Sequence, residues 1–153
     1  QERNRNTGRT AVGFVKGLGL RRGALGASVA HDAHPFIVAG ADDASMLTAL
    51  KWLREQGGGL VACEGTRILA CLSLTAGGLM SDEPLSAVAD QLTAVDQAAA
   101  GLGLVGDHLC MALSFLSLSV IPSLKLTDQG YVDIGQSGLQ ELLVTGGQDG
   151  DIS

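Results

Sequence analysis

Two stretches of the chain place apolar residues at the spacing of an amphipathic helix. The first has an N-cap available at Asp42 or Asp43, and Gly57-Gly58-Gly59 follows its last turn. Its apolar residues share one face: Met46, Leu47, Leu50 and Leu53. The second has Pro84 in its first turn, a position that suits proline. Its apolar face is longer: Leu85, Val88, Ala89, Leu92, Val95, Ala99 and Leu102. Both patterns predict helices with one buried side.

Short runs of β-branched and small residues predict strands around these helices. The predicted strands cover residues 11–16, 24–30, 36–39, 60–63, 67–74, 131–134 and 139–144. The fourth and fifth runs form a hairpin that turns at Glu64-Gly65. Residues 111–118 are so apolar that a third helix and a buried strand both remain open. The order predicts an α+β fold in a single domain, with a mostly antiparallel or mixed β-sheet packed with two to three helices.

No internal repeat or linker divides the chain. We therefore predict one domain over residues 1–144, followed by a flexible, polar, Gly-rich tail over residues 145–153. The longest apolar stretch, residues 109–121, is shorter than the roughly 20 residues of a membrane-spanning helix and is interrupted by serines. Because the sequence also lacks a signal region, no membrane association is expected and the predicted location is cytoplasmic.

Composition and charge suggest that part of the surface meets a neighbour. Hydrophobic residues make up 46% of the 153 residues, and the mean hydropathy is +0.27, as expected for a domain cut from a larger enzyme. Six of the ten Lys and Arg residues lie in the first 22 positions, whereas the rest of the chain has 4 basic and 15 acidic residues. This acidic bulk argues against nucleic acid as a partner. We expect the basic segment to meet acidic surface of its own domain or of the neighbour.

The three cysteines are odd in number and lack metal-binding spacing. The predicted hairpin places Cys63 opposite Thr66, so Cys63 and Cys71 should not form a disulfide. We expect all three cysteines to be reduced, buried thiols.

Residues 28–35 concentrate more titratable chemistry than any other segment and read Ser28-Val29-Ala30-His31-Asp32-Ala33-His34-Pro35. Two histidines three apart could share a metal ion on a helix. However, Pro35 pushes His34 towards extended geometry, in which residues three apart point to opposite faces. Asp32 and His34 would share a face, where the carboxylate could orient the imidazole. Both histidines are either satisfied structural groups at a strand end or part of a site shared with another domain, and we predict no metal site.

Several motifs, in the same order, resemble the C-terminal domain of bacterial and archaeal adenine deaminases, which are metal-dependent purine aminohydrolases. They are the 28–35 segment, Thr7-Gly8-Arg9, the 13–20 segment and Gly77-Gly78-Leu79-Met80-Ser81-Asp82-Glu83-Pro84. The resemblance runs from about residue 2 to about residue 144. The family pattern at residues 28–35 is approximately Ser-Val-Ala-His-Asp-Ser-His-Asn, so this chain departs from it at Ala33 and Pro35.

The resemblance implies an accessory domain. In such enzymes the metal ions, expected to be Mn or Fe, lie on a preceding amidohydrolase barrel whose His-x-His motif is absent here, so no catalytic residue is expected within this chain. The domain would close or stabilise the active site of an enzyme that converts adenine and water to hypoxanthine and ammonia. Its expected partners are the barrel, adenine through the barrel, and a second copy of the chain in a homo-oligomer. The alternative is a stand-alone structural or binding module without catalysis.

Eight residues are candidates for the substrate site or the domain interface: Ser28, His31, Asp32, His34, Met80, Ser81, Asp82 and Lys125. Ser81 and Asp82 could also cap the following helix. Lys125, in a further family motif, could pair across the interface or be solvated. Ser28 lacks the strand-turn-helix elbow of a nucleophilic serine.

Overall fold

Apart from the first predicted strand and one additional strand, the strands and helices follow the predicted order. The computed structural model describes residues 10–31, 35–106, 109–120, 124–127, 129–133, 135 and 138–140. Within these ranges the elements are β1 (Ala24–Ala27), β2 (Ile37–Gly40), α1 (Asp43–Gln56), β3 (Gly59–Glu64), β4 (Arg67–Ser73), α2 (Leu85–Gly101), α3 (Leu109–Ser114), β5 (Leu124–Thr127), β6 (Gly130–Asp133) and β7 (Gly138–Gln140). A 3-10 turn, Phe115–Ser117, follows α3. The α+β class is confirmed. The predicted tail, residues 145–153, lies outside the described residues.

The first sheet has the strand order β2-β1-β3-β4, and every neighbouring pair is antiparallel. Side chains of its two central strands alternate between two covered faces, as strand geometry requires. Leu25 and Ala62 pack in the cluster that includes residues of α2 and α3. Ala24 and Val61 pack against α1 in a second cluster. The sheet is therefore the middle of three layers, with α1 on one side and α2 and α3 on the other.

Helix α1 begins and ends as predicted. Its N-cap is Asp42, whose side chain accepts a hydrogen bond from the Ser45 N–H at 2.8 Å. The Ser45 hydroxyl donates to the same carboxylate, also at 2.8 Å, and accepts from the Gly65 N–H at 2.8 Å. These bonds to Ser45 hold the pKa of the Asp42 carboxyl below its usual value of 3.8. At the other end, Gly57 adopts a left-handed φ of 76° and donates its N–H to the Arg54 carbonyl.

The predicted β3–β4 hairpin is present, but its predicted strand register is wrong. It turns at Gly65-Thr66, so Glu64 pairs with Arg67, and Cys63 lies opposite Ile68 rather than Thr66. A β-bulge between Ala62 and Cys63 then displaces the pairings on the far side from the turn by one further residue, which sequence alone does not signal. Cys71 pairs with Val61, and all three cysteines are free thiols as expected. Full burial, however, holds only for Cys63, because Cys71 and Cys110 are half-buried.

The N-terminal segment and the second sheet differ from the prediction. Residues 11–16, expected as a strand, have no regular structure. Instead, the backbone N–H and carbonyl of Phe14 both bond to the Tyr131 hydroxyl, so they do not enter a strand ladder. Tyr131 belongs to a second antiparallel sheet with the order β5-β6-β7. The first strand of that sheet, β5, has no counterpart among the predicted strands.

Candidate functional site

The topology brings several candidate residues together at one end of the strands of the first sheet. Strands β1 and β4 both run antiparallel to β3, so their C-terminal ends lie on the same side of the sheet as the start of β3. Residues 28–31 leave β1 at this end, and residues 74–82 leave β4 there. We call these two segments, together with Gly58-Gly59 at the start of β3, the His31 edge. The edge therefore contains five of the eight candidates: Ser28, His31, Met80, Ser81 and Asp82.

The Ser28 hydroxyl joins the three parts of the His31 edge. It accepts a hydrogen bond from the Gly59 N–H at 2.7 Å and donates to the Gly78 carbonyl at 2.6 Å. The Ser28 backbone N–H also donates to the Gly59 carbonyl at 2.9 Å. Ser28 is fully buried, as are Gly59 and Gly78. The hydroxyl thus ties the 74–82 loop to the sheet, and its burial leaves no open side for a reacting group.

Gly58 allows the loop to approach this closely. A Cβ atom at Gly58 would lie 2.4 Å from the Gly78 Cα and 2.8 Å from the Ser28 Oγ, both far inside van der Waals contact. Its φ of +138° is also outside the range that side chains tolerate. The glycine run predicted to end α1 therefore also provides space for the loop between β4 and α2.

His31 lies where the chain leaves β1, and its ring has two kinds of environment. The imidazole stacks on the Phe115 ring with 4.5 Å between centroids and 20° between planes. Its Nδ1 atom is buried and has no hydrogen-bond partner within the described part of the chain. The side chain as a whole is only half-buried. One side of the imidazole is therefore fixed against the domain while part of the ring stays accessible.

Phe115 was not among the predicted site residues. It is the first residue of the 3-10 turn after α3 and is 41% exposed. The only available signal was the rarity of aromatic residues, which make up 3% of the chain. Because residues 28–31 and 115 are far apart in sequence, no local pattern could have paired the two rings.

The interpretation of Ser81 and Asp82 as helix caps is wrong. Pro84 is the N-cap of α2, and no side chain bonds to the free N–H groups of that end. Asp82 instead accepts a hydrogen bond from the Thr75 hydroxyl at 3.2 Å, and Ser81 accepts from the Glu83 N–H at 3.2 Å. Both bonds close the loop on itself, because the proline moves the helix start beyond reach of Ser81 and Asp82. Met80, 66% exposed, lies on the surface of this loop.

Helix α2 adds apolar surface next to the His31 edge. Its C-terminal half is buried through Val95 and Ala99, whereas Leu85 in its first turn is 83% exposed and Leu92 is also exposed. Val88, which lies between them in sequence, still packs partly against the main core. The prediction that one full stripe of α2 faces the core is therefore wrong at Leu85 and Leu92. Leu79 and Met80 on the preceding loop are exposed as well.

The remaining candidates lie elsewhere. Asp32 and His34 fall outside the described residues. Lys125 is half-buried on β5, opposite Val132, and donates to the Leu124 carbonyl at 3.3 Å. Strand β5 packs against the 3-10 turn that begins at Phe115.

Away from the His31 edge, the described chain contains a thiol with a raised pKa and an exposed ion pair. Burial, with a smaller contribution from Asp96, raises the pKa of the Cys110 thiol to about 12. The exposed pair of Arg22 and Glu64, at 3.3 Å, joins the basic segment to acidic surface of the same domain.

Among the described residues, no group of three or more His, Cys, Asp or Glu side chains could hold a metal ion. In the same residues, no helix combines the length and apolarity needed to cross a bilayer.

Comparison with known proteins places these features in a family. The model of the adenine deaminase C-terminal domain matches residues 1–137. The chain is 49% identical over 133 residues to an adenine deaminase of Desulfatibacillum aliphaticivorans, a match that covers 87% of this chain and 23% of that protein. It is 53% identical over 134 residues to an adenine deaminase of Oleidesulfovibrio alaskensis, with the same coverage of 87% and 23%.

A third relative, an adenine deaminase of Cereibacter sphaeroides, is 50% identical over 134 residues, which are 24% of its length. The chain thus spans about a quarter of the length of the curated relatives that it matches. The expected family resemblance is confirmed by both comparisons, and the chain belongs to the adenine deaminase C-terminal domain family.

Proposed function

We propose that this chain is the accessory domain of an adenine deaminase and that its His31 edge faces a separate catalytic part and helps to close the active site there. The relatives are named adenine deaminases, and about three quarters of their length has no counterpart in this chain. The whole enzyme would convert adenine and water to hypoxanthine and ammonia. The metal ions expected from the resemblance, Mn or Fe, would be held by the catalytic part. Homo-oligomer formation and a cytoplasmic location stay predictions.

The environment of His31 carries this proposal. Side chains that only fill a structural role normally have their buried polar atoms paired, because an unpaired buried atom costs about 1–3 kcal/mol. The His31 Nδ1 is buried without such a partner in the described residues, while part of the imidazole remains accessible. An unsatisfied group next to exposed apolar residues is typical of a surface that meets another part of an enzyme.

The chemistry of the reaction suggests a role for the accessible part of the ring. Deamination at C6 of a purine needs an activated hydroxide and groups that recognise the polar edge of the purine ring. The described residues offer no ligand set for the hydroxide. An imidazole can donate or accept a hydrogen bond at the purine edge. His31 is thus proposed to contribute to recognition, and Met80 to an apolar wall beside it.

The test uses the full-length enzyme that carries this domain, purified with its metal. His31→Ala should lower kcat/KM for adenine by at least ~10-fold, which is about 1.4 kcal/mol of transition-state stabilisation, while Tm changes little. Thr48→Ala is the control, because Thr48 bonds only within α1, on the opposite side of the sheet. It should leave kcat/KM unchanged.

The structural alternative predicts the opposite pattern for the same variant. If His31 has only a structural role in the full-length enzyme, His31→Ala changes Tm and leaves the specific activity of the folded enzyme as it was. Retained kcat/KM together with a lowered Tm would therefore refute the proposed role of the His31 edge.

A further inference from the structure

Phe115 is held rigidly although its ring is partly exposed. The residue before it, Ser114, is buried and donates its hydroxyl to the Met111 carbonyl at 2.6 Å. Leu113 is fully buried in the main core. After Phe115, the Leu118 N–H donates to the Phe115 carbonyl at 3.3 Å and closes the 3-10 turn. The backbone that carries the phenyl ring is therefore fixed on both sides.

The stack with Phe115 is a contact that constrains the orientation of the His31 ring. Rotation about χ2 of a histidine has broad energy wells, so an imidazole needs external contacts to hold one plane. No hydrogen bond to Nδ1 supplies this within the described residues. The two rings lie 4.5 Å apart at 20°, which is an offset-stacked arrangement of the kind that aromatic pairs prefer.

We propose that Phe115 is a positioning residue, which acts on the reaction by fixing the plane of the His31 imidazole so that its accessible edge points at the purine. The inference rests on the proposed function of His31. A ring held in one plane loses less rotational freedom when substrate binds, which favours the oriented complex. Phe115 itself need not touch adenine.

The experiment measures kcat/KM for adenine in the metal-loaded full-length enzyme. Phe115→Leu removes the ring and keeps an apolar side chain, and it should lower kcat/KM by about 3- to 10-fold, the range expected for loss of one aromatic pair. Phe115→Tyr keeps the ring and should restore activity close to the wild type. Phe14→Leu is the matched control, because the Phe14 ring is 85% exposed and its hydrogen bonds to Tyr131 involve only the backbone.

A double-mutant cycle separates positioning from an independent effect. If Phe115 acts through His31, adding Phe115→Leu to His31→Ala should cause less than about a 2-fold further loss. A multiplicative loss in the double variant would overturn the inference.

The imidazole proton NMR signals of His31 provide a second readout and are assigned by their absence in His31→Ala. They should shift in Phe115→Leu, because the ring current of Phe115 acts on them, and should stay in place in Phe14→Leu.

The outcomes distinguish this inference from the proposed function. Loss of activity in His31→Ala with wild-type activity in Phe115→Leu overturns the positioning role alone. Wild-type activity in both variants overturns the proposed function as well. If Phe115→Leu fails to fold, Phe115→Met takes its place, and unchanged His31 signals in that variant would overturn the inference.

Discussion

The Ser28 hydroxyl should be a major source of stability for the His31 edge. Ser28→Ala removes one acceptor and one donor at a place without solvent. The Gly59 N–H loses its 2.7 Å bond, and the Gly78 carbonyl loses its 2.6 Å bond. Both glycines are buried, so water does not readily replace the hydroxyl. The Ser28 N–H keeps its bond to the Gly59 carbonyl, so β1 itself should remain in place.

The magnitude follows from counting these two groups. Each buried polar group left without a partner costs about 1–3 kcal/mol, so for two groups the free energy of unfolding should fall by about 2–6 kcal/mol. This is a large share of the roughly 5–15 kcal/mol that stabilises an ordinary domain. The matched control is Ser73→Ala, whose hydroxyl makes a long 3.5 Å contact with Gln56 and should matter by less than about 0.5 kcal/mol.

Urea unfolding of the 153-residue chain measures both variants. The signal is the fluorescence of Trp52, the single tryptophan, which packs in the α1-side cluster near Gly59. The expected result is a lower midpoint for Ser28→Ala with an unchanged slope, which indicates a loss of stability rather than a change of the unfolded state. A Ser28→Ala midpoint equal to that of Ser73→Ala would refute the argument that the hydroxyl ties the loop to the sheet.

Three further predictions concern backbone, pH and thiol chemistry. Gly58→Ala should lower the unfolding free energy by more than about 2 kcal/mol in the urea assay. Gly101→Ala, where the added Cβ meets no other atom, should raise it by about 0.5 kcal/mol. Similar effects of the two substitutions would contradict the steric argument. Because the Asp42 pKa is lowered in the fold, its contribution to stability is present above pH 3.8 and is lost as the pH falls further. Asp42→Ala should therefore be less stable than the wild type at pH 7, and its unfolding free energy should fall less on acidification. Parallel pH profiles of the two proteins would contradict this. The Cys110 thiol is half-buried, and its pKa is raised to about 12. It should therefore react with iodoacetamide at pH 8 at least ~100-fold more slowly than in the urea-unfolded chain, and equal rates by mass spectrometry would contradict the raised pKa.

Elements defined by neighbouring residues were predictable. The prediction of helix α1 was correct from its N-cap at Asp42 to its end at Gly57, because capping and helical spacing are encoded within a few positions. The β3–β4 hairpin was also located correctly, because its turn and strands are close in sequence. The 10–16 segment shows the limit of such patterns: its apolar residues look like a strand, but its backbone groups at Phe14 bond to a tyrosine 117 positions away.

The candidate site was predictable only in part, because its key contacts join distant segments. The sequence indicated the 28–31 segment and the 77–82 loop separately. Their connection through the Ser28 hydroxyl spans 50 positions, and nothing in either segment signals it. The His31–Phe115 stack is a similar case, since it depends on where α3 ends relative to β1. Local chemistry thus identified residues, whereas the topology of the sheet decided which of them meet.

The burial of α2 shows what helical spacing does and does not determine. The spacing places Leu85, Val88, Leu92, Val95 and Ala99 near one stripe, yet only Val95 and Ala99 are buried, Val88 is partly buried, and Leu85 and Leu92 are exposed. Periodicity states which side chains share a face, and the extent of the neighbouring layer decides how much of that face is buried. An apolar stripe that continues past the cover of its own domain needs another surface to cover it. Leu85 follows the loop that Ser28 anchors by only a few positions, and the relatives are about four times as long as this chain. The part of the relatives that has no counterpart in this chain is therefore long enough to cover the exposed leucines.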